Sequence, residues 1–74
     1  MDLSTLSPGD TVEAYGALYQ FAGLTDGRAV LVEDLRADLS WGYSGRPESG
    51  FITATATART LHATVAPAHH ITRA

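Results

Sequence analysis

The sequence predicts a mostly β fold, either a small barrel or a strongly bent antiparallel sheet of about five strands. Three observations carry this reading. Asp26-Gly27 stands between two runs rich in β-branched and aromatic residues. A type I′ turn needs φ > 0 at both central positions, so Asp-Gly at such a junction is a strong hairpin signal. Residues 51–58 alternate, with Thr53, Thr55 and Thr57 on one side and Ile52, Ala54, Ala56 and Ala58 on the other; a period of two belongs to a strand. Glycine and proline also break any regular period over residues 40–50.

Taken in order, Ser7-Pro8-Gly9-Asp10 reads as a turn, because Pro presets φ, Gly permits φ > 0 and Asp caps a nearby N–H. A first strand follows over Thr11 to Tyr15, with Val12 and Ala14 on one face, and Gly16 ends it. The second runs over Ala17 to Thr25, with Tyr19 and Phe21 on one face and Leu18, Gln20 and Ala22 on the other. The return strand is Arg28 through Glu33, where Val30 and Val32 oppose Leu31. A short helical turn near 34–39 competes with strand, since Leu31, Leu35 and Leu39 recur at helical spacing.

Ser40 to Gly50 is a loop, broken by Gly42, Gly45, Pro47 and Gly50. Phe51 to Val65 is a long Thr/Ala ribbon, or two strands with a bend near Arg59 and Thr60, where the apolar residues change face. Pro67 ends it, and His69, His70 and Ile71 form a tail that can supply a last edge strand. The expected core has Tyr19 and Phe21 buried beneath the Thr/Ala ribbon.

The chain has 74 residues, enough for one small domain over 1–74 with a modest core. It has no cysteine, so neither a disulfide nor a thiolate metal site supplements that core. This favours oligomerisation or docking to a partner. Apolar residues are 45% of the chain, as in a folded globule. The net charge is −3, and Arg28, Arg36, Arg46, Arg59 and Arg73 are scattered rather than clustered, which disfavours nucleic-acid binding. No signal peptide or membrane-spanning apolar run is visible, so the expectation is a soluble, cytoplasmic protein with no membrane partner.

The run Leu6-Ser7-Pro8-Gly9-Asp10-Thr11-Val12, followed by Gly16, Tyr19, Phe21, Gly23, Asp26-Gly27 and Val30, resembles the opening of SH3-like small β-barrels. The resemblance covers the first half of the chain. It implies a small barrel, and it implies no activity, since such folds serve peptide-binding, nucleic-acid and structural roles.

Candidate chemistry is sparse. His62, His69 and His70 are possible ligands for zinc, copper or nickel. In an extended tail the adjacent pair points to opposite faces, so solvated histidines are expected rather than a metal site. Glu33, Asp34, Asp38 and Glu48 surround the aromatic loop and read as a solvated acidic rim rather than an acid/base pair. No nucleophile elbow, phosphate loop or cofactor motif is present, so neither an independent enzyme nor a bound cofactor is expected.

The most informative stretch is Trp41-Gly42-Tyr43-Ser44-Gly45-Arg46. Aromatic and Arg side chains dominate binding hot spots. The competing reading has Trp41 folding over the core as a plug. The candidate binding residues are Trp41, Tyr43 and Arg46, with Tyr19 and Glu33 as further members.

The leading expectation is a non-catalytic protein-binding or assembly module, a small adaptor able to form homodimers through the small-residue face of the ribbon. Two alternatives stand beside it. One is an accessory or regulatory protein of a phage or plasmid that acts through an acidic surface. The other is a small metal-binding protein or enzyme using the C-terminal histidines.

Overall fold

Two tight corners start the sheet. The computed structural model describes all residues, Met1–Ala74. Asp26 and Gly27 have φ of 49° and 75°, positive at both centres as a type I′ turn requires. Tyr15 and Gly16 repeat the arrangement at 52° and 75°. These corners join β1 (Thr11–Ala14), β2 (Ala17–Thr25) and β3 (Arg28–Val32) into a meander, in register Ala14↔Ala17 and Thr25↔Arg28. The Ser7–Asp10 turn leads in: Asp10 N donates to Ser7 O at 3.0 Å, and Ser7 N to Asp10 Oδ2 at 2.9 Å.

After β3 the chain crosses to the far edge and returns through β4 (Tyr43–Ser44), β5 (Phe51–Ala54) and β6 (Arg59–Ala66); β7 (Thr72–Arg73) then pairs with β1. The strand order is β4-β5-β6-β3-β2-β1-β7, antiparallel throughout. Placing β3 beside β6 rather than β4 is a Greek-key connection. The sheet stays open, with β4 and β7 as its edges. β6 bends the sheet: Arg59–His62 pair with β5, and Ala63–Ala66 pair with β3.

There are seven strands rather than five. β4 lies inside the expected loop, and β7 lies at Thr72–Arg73, just past the His69–Ile71 tail expected to supply a last edge strand; each has 2 residues, too short to show any periodicity. The Thr/Ala run is not one ribbon. Thr55–Ala58 form a turn in which Ala58, at φ 55°, donates its N–H to Ala54 O at 2.8 Å. The face change near Arg59 therefore marks a hairpin. Residues 34–39 are not helical: one turn is closed by Ala37 N to Asp34 O at 3.4 Å, Leu39 is buried and Leu35 is exposed. The helical content is confined to short 3-10 turns at Leu3–Thr5, Pro47–Ser49 and Ala68–His70.

Both faces of the sheet are covered. Ala29, Val30, Leu31 and Val32 of β3 are all 0% exposed. Strand alternation sends Ala29 and Leu31 to one core and Val30 and Val32 to the other. Each buried Val or Leu contributes about 1.5–3 kcal/mol.

Tyr19 and Phe21 are buried as expected, but not beneath the ribbon. They pack in the core sealed by Leu3, Leu6 and Ile71, while Ile52 and Ala54 of the ribbon lie in the opposite core with Leu39. A β-bulge separates the register pairs Phe21↔Leu31 and Gly23↔Val30. The bulge gives Ala22 no partner on β3 and turns Gly23 towards the second core.

Candidate binding surface

The segment from Asp34 to Tyr43 covers the second core and carries Trp41. It is pinned at one end by Gln20, the buried polar side chain of the sheet. Gln20 Nε2 donates to Asp34 O at 3.0 Å and to Ala37 O at 2.9 Å. Ala37 and Leu39 are then buried against the sheet. Gly42 N donates to Leu39 O at 3.0 Å, closing a four-residue turn with Ser40 and Trp41 at its tip. Gly42 itself has φ 84°, a backbone conformation that favours glycine. Thr55 N donates to Gly42 O at 3.0 Å, tying the turn to the β5–β6 hairpin.

Asp38 braces the same turn. Its Oδ1 accepts from Ser40 Oγ at 2.6 Å and from Ser40 N at 3.0 Å. The Ser40 hydroxyl first, and then its N–H, hold the Asp38 carboxyl below the usual carboxylate range. Trp41 is 78% exposed at the tip. The plug reading does not hold; the ring that packs against the core is Tyr43. It lies over Gly23, where an added Cβ would stand 3.2 Å from Tyr43 Cε1. Burial, and secondarily the charge of Glu48, push the Tyr43 hydroxyl up.

The other proposed site residues are dispersed. Arg46 is exposed at the start of the Pro47–Ser49 turn, at the opposite end of β4 from Trp41. Tyr19 is interior, only 8% exposed. Glu33 is exposed just beyond β3, with Oε1 3.9 Å from His62 Nδ1.

His62 in turn meets Phe51 edge to face, at 5.5 Å between ring centroids. Phe51 is 53% exposed and was not anticipated as a surface feature. The available signal was its odd number, which puts an apolar ring on the threonine face of the ribbon.

The histidines do not converge. His69 and His70 lie in a 3-10 turn with rings 4.3 Å apart, rather than on opposite faces, and His70 meets Tyr15 at 5.0 Å. No three His, Asp or Glu side chains form a metal-ligating group. The carboxylates are also separated. Asp34 pairs with Arg59 at 2.9 Å, and Glu48 accepts from Thr25 Oγ1 at 3.0 Å. No pocket opens on the surface, and no helix is long and apolar enough to cross a membrane. No protein-family model, curated protein or solved structure matches the chain.

Proposed function

We propose that this chain is a non-catalytic protein-binding module whose contact surface centres on Trp41. One observation carries the reading: the largest apolar ring of the chain stands in solvent at the tip of a turn whose two ends are anchored. A ring carried on an anchored turn needs little backbone ordering when a partner covers it, so more of its burial appears as affinity. The SH3-like pattern of the first half fits a small scaffold of this kind. A second copy of the chain is one candidate partner, and the exposed Phe51 on β5 offers a further apolar contact.

The test is capture of binding partners by the wild-type chain and by Trp41→Ala, with circular dichroism confirming the same fold. Partners held by the wild type should bind the variant roughly tenfold more weakly or worse. Equal capture by both proteins rules the surface out. Light scattering across a concentration series reads whether the partner is a second copy.

A further inference from the structure

We propose that the group recognised at Trp41 is a cationic side chain, an Arg or Lys of a basic peptide segment, seated between the indole and the Asp38 carboxylate. This inference rests on Trp41 being a contact surface and specifies what that surface takes.

The argument starts from how the arginines are used. Arg59 is paired with Asp34 at 2.9 Å, and Arg36 acts on the same carboxylate. Arg73 lies 3.4 Å from Asp10. Arg28 and Arg46 both act on Glu48. Neither arginine ion pair involves Asp38; of the histidines, His62 stands beside Glu33, His70 beside Tyr15 and His69 beside His70. None is directed to Asp38.

The Asp38 carboxylate is nevertheless fixed. Both Ser40 donors bind Oδ1, so Oδ2 makes no hydrogen bond. An oriented anionic oxygen without a cation therefore sits in the turn that displays the indole. Trp has the best ring face for a cation, and the attraction is worth more where a carboxylate adds to it. The rest of the tip, Thr55 to Thr57, is uncharged and exposed.

The probe is a fluorescein-labelled, end-capped oligoarginine peptide at low salt, followed by anisotropy. An oligoglutamate peptide of equal length is the control. Trp41 is the chain's only tryptophan, so its emission reports contact at this site without interference.

Saturable binding of oligoarginine with a change in Trp41 emission is expected, and none with oligoglutamate. Asp38→Asn keeps an oxygen acceptor for Ser40 and removes the charge. It should weaken binding roughly two- to fivefold or more, as should Trp41→Ala. Glu13→Gln changes net charge equally on β1, which β5, β6, β3 and β2 separate from β4 in the sheet order, and should have a smaller effect. Equal weakening by Glu13→Gln, an unchanged Trp41 emission, or an equal response to oligoglutamate overturns the proposal. Those results leave the contact surface standing if Trp41→Ala still loses its partners; if capture is also unaffected, the surface itself is refuted.

Discussion

Tyr43 packs directly over Gly23: a methyl group at Gly23 would stand 3.2 Å from Tyr43 Cε1. The bulge at Ala22 turns Gly23 towards the second core, and Tyr43 fills the space its missing side chain leaves. This contact seats β4, and with it one end of the Trp41 turn.

Gly23→Ala should therefore destabilise the fold. Gly23 has φ 154°, which L residues avoid, and the new methyl would crowd the ring. The expected loss is about 1–3 kcal/mol, several degrees or more in Tm for a chain of this size. Thermal melting by circular dichroism reads it. A variant that melts with the wild type would show that the ring is not held against the glycine.

Gln20→Leu should loosen the Trp41 segment as well as lower stability. Two carbonyls, of Asp34 and Ala37, lose their donor. Leaving the buried Ala37 acceptor unpaired costs about 1–3 kcal/mol, and the part-buried Asp34 acceptor less. Hydrogen exchange should accelerate over residues 34–42 more than over β3. Uniform acceleration across the chain would show that Gln20 does not pin that segment.

Ala58→Gly should stabilise the protein by about 0.5 kcal/mol. Ala58 sits at φ 55°, where a side chain costs roughly 1–2 kcal/mol. The greater freedom of glycine in the unfolded chain cancels part of the gain. Urea denaturation, with the midpoint shifting upward at constant slope, is the measurement.

Acid should destabilise the fold through carboxyls held below their ordinary range. In Asp34 the first cause is the Arg36 N–H, followed by Arg59; in Asp38 it is the Ser40 hydroxyl. A depressed folded pKa means the unfolded chain binds the proton more readily. The stabilisation is complete above the unfolded pKa, about 4 for Asp, and fades as pH falls through the lower folded value. Asp34→Asn should flatten the fall in Tm below about pH 4, while leaving the slope above about pH 6 unchanged.

Local chemistry explains which features were legible in the sequence. Asp26-Gly27 announces its corner because both residues accept φ > 0. Tyr15-Gly16 makes the same corner unannounced, because tyrosine has no such preference and only the glycine points to a turn. Alternation marked Val12, Ala14, Tyr19 and Phe21 as interior, and all are buried. What covers them was not legible, since a strand pattern marks an inward face without saying which other segment meets it. Leu3, Leu6 and Ile71 do so from outside the strands, in contacts of long sequence separation. At the surface, Trp41 and Arg46 were found from residue type alone. Tyr19 was placed there on the same basis, although its alternation with Phe21 pointed inward.

The central strand shapes how the molecule comes apart. Ala29 and Leu31 support one packed layer while Val30 and Val32 support the other, so neither layer has a floor of its own. Removing the strand's grip on either side bares the underside of the other. Partial melting therefore gains little, and amides at the middle of that strand should open only when the whole molecule does.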